Sequence, residues 1–132
     1  MKTKKREFET FAREFRRWQT LLSCNDWDLM FFCQKLDGNH AEIRADAKNS
    51  IADVMICSER DEKRDRPFDP AKLAKHEAMH LFLARLVYIA SCRFVNDGEL
   101  NDEEERLVRM LVRLIPDNLS MSDMTKVEDI EK

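Results

Sequence analysis

The stretch His76-Glu77-Ala78-Met79-His80 decides how the rest of this chain is read. It lies in a segment from Ala71 to Leu86 that is built of strong helix formers and holds no Gly or Pro. On a helix, residues four apart stand one above the other, so His76 and His80 can aim imidazole nitrogens at one cation. Glu77, beside the first of them, then reaches the open coordination position and can act as general base on a water there. Two of the three His in the chain fall within these five residues. Leu81 to Leu83 and Leu86 to Ala90, which follow, are almost wholly apolar, and this predicts a central helix rather than a surface one. A central helix carries two imidazoles and a carboxylate only with a partner for the charge. The pattern therefore predicts a zinc site.

The composition frames that site. With 132 residues, the chain is expected to form one domain with a real core. A net charge of −3 with 37% charged residues does not suit nucleic-acid binding by bulk electrostatics. The basic opening, Lys2 to Arg6, is soon offset by Glu7 and Glu9. No apolar run approaches a membrane span, and the first residues lack the apolar core of a signal peptide, so a cytoplasmic protein is expected. Cys24, Cys33, Cys57 and Cys92 form no Cys-x-x-Cys pair and are expected to be reduced and mostly buried. Only two Gly are present, and no glycine-rich phosphate loop.

In chain order, Phe8, Phe11, Phe15, Trp18, Leu21 and Leu22 recur at spacings of three and four, predicting an amphipathic helix from about residue 5 to 23. Trp27 to Leu36 alternates as a strand, and Asp37-Gly38-Asn39 reads as a hairpin turn. Ala41 to Lys48 alternates as a half-exposed second strand, Asn49-Ser50 turns, and Ile51 to Cys57 makes a third. Three short strands joined by tight turns predict an antiparallel meander. Ser58 to Asp65, charged and mixed in sign, reads as a solvated loop. Asp69 followed by Pro70 is a helix start, so the motif helix is expected from about 70 to 92. Asn96-Asp97-Gly98 breaks the chain, and a third helix is expected from about 99 to 115, before Pro116. Residues 117–132 read as a flexible polar tail behind a domain of residues 1–116. The fold class is α+β.

A catalytic zinc takes three protein ligands and an open position. A long motif with Gly at 83 and a third His at 86 is excluded by Leu83 and Leu86. His40, in a predicted turn, would ligate only if that turn folded over the helix. The acidic run Glu103-Glu104-Glu105 on the next helix is the better source. Glu104, Val108, Leu111 and Ile115 share one face, which turns Glu104 toward the core and selects it as the third metal ligand. Glu105 lies on the flank of Arg109 and Val112, and Glu103 on the opposite flank. All three also suit the first turn of a helix through its dipole, so Glu103 and Glu105 stay open as alternatives. Glu99 and Asp102 are read as capping or supporting residues.

The order of helix, three strands, His-Glu-x-x-His helix and glutamate helix resembles the small gluzincin-like zinc metallopeptidase domains. These include compact phage and prophage versions and relatives of the SprT-like and ImmA-like proteins. The likeness spans roughly residues 5 to 115, with its specific part in the motif helix and the Glu run. It implies Zn²⁺ held by His76, His80 and Glu104, with Glu77 as the catalytic base in peptide-bond hydrolysis. It also implies an extended peptide or protein substrate added to an edge strand, here expected to be Ile51 to Cys57. The chain departs from the larger members in lacking an Asn-Glu-x-x-Ser-Asp signature, a downstream His for the oxyanion and a Cys ribbon. Tyr88 and Arg93 are the evident substitutes for the oxyanion donor. The alternative expectation is a weak or inactive peptidase-like module that binds or regulates another protein, phage-encoded in line with the resemblance.

Overall fold

The most apolar strand takes the middle of the sheet, and the other elements are arranged around it. In the computed structural model, which describes residues 1–60, 67–92 and 96–120, the order is α1 (Lys5–Leu21), β1 (Asp28–Gln34), β2 (Ala41–Asp46), β3 (Ile51–Cys57), α2 (Pro70–Ser91) and α3 (Asp97–Leu114). The expected α+β class holds, but the antiparallel meander does not. The sheet order is β1-β3-β2; β1 runs parallel to β3, and only β2 and β3 form an antiparallel hairpin. The turn at Asp37-Gly38-Asn39, where Gly38 has φ of 79°, therefore leads to the far edge of the sheet rather than into a hairpin.

Burial gives the reason. Ala52, Val54, Met55, Ile56 and Cys57 are all buried, so β3 needs a neighbour on each side. Glu42, Arg44 and Asp46 suit β2 to an edge. The expectation of Ile51–Cys57 as the substrate-pairing edge is corrected by the same fact: both edges of β3 are already hydrogen-bonded.

One sheet face packs Ala52, Val54 and Ile56 into a core with Phe11, Phe15 and Trp18 of α1 and Ala78 and Leu81 of α2. α2 starts as expected: Pro70 is its first residue, and the Asp69 carboxylate accepts from the Ala71 and Lys72 amides at 3.1 and 3.4 Å. α3 begins two residues earlier than expected because Asn96 does not break the chain. Its side chain caps α3, accepting from Gly98 at 2.8 Å and Glu99 at 3.4 Å.

Lys75 ties α2 to the end of α3. It is 3% exposed, and its ammonium donates to the carbonyls of Val112 (2.8 Å) and Ile115 (2.5 Å) and to the Asp117 carboxylate (2.5 Å). Those carbonyls belong to the last turn of α3, where a cation is favoured.

Residues 117–120, expected in a flexible tail, stay on the fold: Arg17 donates to the carbonyls of Asp117 and Leu119, and Leu119 packs on the core. The remainder of that predicted tail lies outside the described residues. Ser58 to Arg60, expected in a solvated loop, instead pair with the N-terminal residues, the Thr3 amide donating to Ser58 and the Arg60 amide to Met1. All four Cys are free thiols; Cys24 and Cys57 are buried, while Cys33 and Cys92 are exposed, so burial holds for only half of them. Among the described residues, no helix is long and apolar enough to cross a membrane.

Candidate metal centre

The middle of α2 faces the first half of α3 across one end of an open cleft of about 870 Å³, with β2 as the opposite wall. The helices run antiparallel, as shown by the pairing of His80 with Glu105 and of Lys75 with the end of α3. His76 and His80 share a face of α2, their ring centroids 5.1 Å apart. Nε2 of His80 lies 2.7 Å from the Glu105 carboxylate, and Nε2 of His76 lies 3.6 Å from it. One ligand atom each from His76, His80 and Glu105 falls within 4.8 Å of the others, a spacing that one cation can bridge.

Glu104 turns inward, as its periodicity suggests, and is more buried than Glu105. Its carboxylate lies 2.9 Å from Nδ1 of His80, on the other side of the ring from Glu105. A carboxylate there accepts the Nδ1 proton and leaves Nε2 of the neutral ring free for a metal. Val108 explains why both acids reach the site. It is fully buried, and Glu104 and Glu105 stand four and three residues before it, straddling the same stripe. Periodicity within α3 locates the stripe, but the crossing with α2 decides which carboxylate meets which nitrogen. Glu103 is elsewhere, paired with Arg106 at 3.0 Å. His40 stacks edge-on against Phe68 and is not part of the group.

Glu77 is 7% exposed and lines the cleft beside the two rings. Burial raises its carboxyl to about 7, the nearby charge of His80 opposing this and those of Glu105, Glu42 and Glu104 adding to it. Burial pushes His76 below the ordinary histidine value; the charge of His80 adds to this, and Glu105 opposes it. Burial alone would also lower His80, but its bond to Glu104 and the charges of Glu77, Glu104 and Glu105 outweigh burial and raise it.

Two further cleft residues bear on the chemistry. Tyr88 lines the cleft although it lies two turns beyond His80, and Arg109, one turn past Glu105, also lines it. Arg109 is a cation on the Glu105 flank of α3. Its spacing of four from Glu105 puts it there, and the antiparallel register, which sets Arg109 beside His76 as Glu105 sits beside His80, brings that flank into the cleft. Arg93 lies outside the described residues. Glu99 and Asp102 are exposed and outside the metal-binding group, and the Asn101 between them lines the cleft.

Two imidazoles and one carboxylate form a donor set suited to zinc in a hydrolytic site. No protein-family model matches this chain, and neither curated proteins nor solved structures provide a match.

Proposed function

We propose that the protein is a zinc-dependent hydrolase of peptide bonds, its metal held by His76, His80 and Glu105. The observation that carries this reading is the approach of those three side chains to within 4.8 Å of one another, with the buried carboxyl of Glu77 next to them in an open cleft. Bound Zn²⁺ would supply Lewis acidity, polarising the scissile carbonyl and acidifying a water. Glu77, with a carboxyl near 7, takes the proton from the attacking water and passes it to the leaving amine. Glu104 holds His80 in the tautomer a metal needs. Glu104, the ligand implied by the gluzincin-like resemblance, becomes the supporting carboxylate, and Glu105 the ligand.

The substrate is an extended peptide. β2 has β3 on one side only, and Ala41, Ile43 and Ala45 border the cleft. Its outer edge can add a strand by backbone pairing, in place of the β3 edge that the sequence suggested. Arg109 and Tyr88 are the available donors for a developing oxyanion.

The test is Glu77→Gln. Elemental analysis should find one zinc per chain in wild type and variant alike, and an unbiased peptide library should be cleaved only by wild type. Cleavage that persists in the variant refutes Glu77 as the base, and absence of stoichiometric zinc refutes the site. Zinc binding without turnover by wild type favours the binding-module alternative.

A further inference from the structure

The second half of α2 was expected to be central, but its outer side is not: Phe82, Leu86 and Ile89 are 48%, 58% and 55% exposed. Its inner side serves the cleft instead. Ala84, one turn beyond His80, and Val87 and Tyr88, two turns beyond it, line the cleft, and Ala45 and Ala47 line it from the β2 side. β2 and α2 run the same way along it. Glu42, early in β2, lies close enough to Glu77 for its charge to act on that carboxyl, and Arg85 of α2 donates to the hydroxyl of Ser50, past the end of β2, at 2.7 Å. The cleft therefore has a charged metal end and, beyond His80, an end walled by small apolar groups.

The outer edge of β2 has a fixed phase. The Cys57 amide donates to the His40 carbonyl, so residues 40 and 57 are a hydrogen-bonded pair of the antiparallel ladder. Counting on by twos, Glu42, Arg44 and Asp46 turn their backbone groups to β3, and Ala41, Ile43 and Ala45 turn theirs outward. No other strand among the described residues takes up that outward set. Its side chains are the ones that face the helices, since Ala41 is buried and Ile43 packs on the core. A strand paired with Ala41, Ile43 and Ala45 thus points the side chains opposite them into the cleft.

Resting on the hydrolase reading, we propose that the end of the cleft beyond His80 is a specificity pocket, in which a substrate strand antiparallel to β2 seats one large apolar side chain between Ala45, Ala47, Ala84 and Val87. Antiparallel pairing is the direction β2 already uses with β3, and it is the more stable per residue. Because β2 runs from Glu42 toward the pocket, such a substrate lies with its N-terminal part there, and the apolar residue precedes the scissile bond. Ala84 and Val87 stand roughly 6 to 10 Å past His80 along α2, the length of two or three extended residues. The alanine walls leave room for the bulk they lack, and the side chain that fills it leaves water without burying a charge.

The test uses the full chain loaded with zinc and a peptide library randomised on both sides of the cleaved bond. Wild type should favour Leu, Phe or Met over Ala two or three residues before that bond, by about 100-fold in kcat/KM. Ala84→Phe fills the pocket and should cut that ratio about tenfold at unchanged zinc content, whereas Val87→Ala enlarges it and should shift the preference toward Trp. The same library captured on zinc-loaded Glu77→Gln, and identified by mass spectrometry, reads binding without turnover and should return the same apolar residue. Capture with that preference but no cleavage by wild type supports the pocket and refutes the hydrolase. Cleavage without the preference, or with it only after the cleaved bond, overturns the pocket and leaves the hydrolase standing. A preference that neither Ala84→Phe nor Val87→Ala alters also overturns the pocket, and the absence of both cleavage and capture refutes the two readings together.

Discussion

Nδ1 of His80 stands 2.9 Å from Oε2 of Glu104, while its Nε2 stands 2.7 Å from Oε1 of Glu105, so the two glutamates meet opposite sides of one ring. Adjacent glutamates thus have unequal roles, and their substitutions should separate. Glu104→Gln is expected to weaken zinc about 10- to 100-fold. Glu105→Gln removes a ligand and should weaken it further. Glu103→Gln, whose carboxylate Arg106 already holds, should leave affinity unchanged. Competition with a chromogenic chelator reads all three, and a loss in Glu104→Gln equal to that in Glu105→Gln would restore Glu104 to the ligand set.

A proton and a metal compete for Nε2 of His80. The carboxylates around that ring hold its pKa above the usual histidine value, while burial holds His76 below it. Near neutral pH, zinc therefore meets more competition from a proton at His80 than at His76. Affinity should fall about tenfold per pH unit on acidification, starting above the ordinary histidine value of about 6.5. Calorimetry in buffers of differing ionisation enthalpy counts the protons released, and a count that does not rise on acidification contradicts this account.

The buried Glu77 carboxyl should make the zinc-free protein lose stability as pH rises through neutrality. Glu77 titrates near 7 when folded but at about 4.5 when unfolded, so the folded state holds its proton more tightly. Stability from this source is complete below the unfolded value and is lost as pH climbs through the folded one. His80, also raised, acts in the same direction, and His76, lowered, acts against both. Glu77→Gln abolishes the Glu77 contribution to this loss. The variant should melt higher than wild type at pH 8, and the difference should shrink at pH 5. A melting difference that grows on acidification would reverse the sign.

The sequence reading succeeds where one element suffices to decide the outcome. α1, the Asp69 cap and the shared face of His76 and His80 all follow from spacing within a single helix. It falters where two elements must meet. A nearly unbroken apolar run from Ile51 to Cys57 is itself the mark of a central strand, but adjacency in sequence suggested a meander instead. Which nitrogen of His80 each of Glu104 and Glu105 meets depends on how α3 crosses α2, which no periodicity within α3 contains. Arg109 shares the flank of Glu105 by spacing, but only the crossing turns that flank into the cleft.

Lys75 should be worth more to stability than its charge suggests. Lys75→Met keeps the stem but orphans the Val112 and Ile115 carbonyls at the end of α3, a loss of about 2–4 kcal/mol in chemical denaturation. Asp117→Asn should cost under about 1 kcal/mol, since that carboxylate is largely in solvent. The Lys75 hydrogen bond holds Asp117 below the ordinary carboxylate value. Its share of stability is therefore present above about 3.8, the unfolded value, and fades as pH falls through the folded one. Lys75→Met should remove that acid dependence together with the larger, pH-independent loss. Equal losses in the two variants would place the stabilisation in the ion pair rather than in the helix-end carbonyls.

Arg109 offers the last and most direct test of turnover. Its guanidinium lines the cleft next to His76, and its charge helps to keep that ring neutral. A cation on that side of the metal would matter most when a carbonyl oxygen gains negative charge, that is, in the transition state rather than on binding. Arg109→Met should therefore lower kcat about 10²- to 10³-fold with little change in KM. Tyr88→Phe, two turns beyond His80 and lining the same cleft, is the control. Should Tyr88→Phe cut kcat while Arg109→Met raises only KM, the phenol is the oxyanion donor, and Arg109 instead binds an acidic group of the substrate equally in ground and transition states.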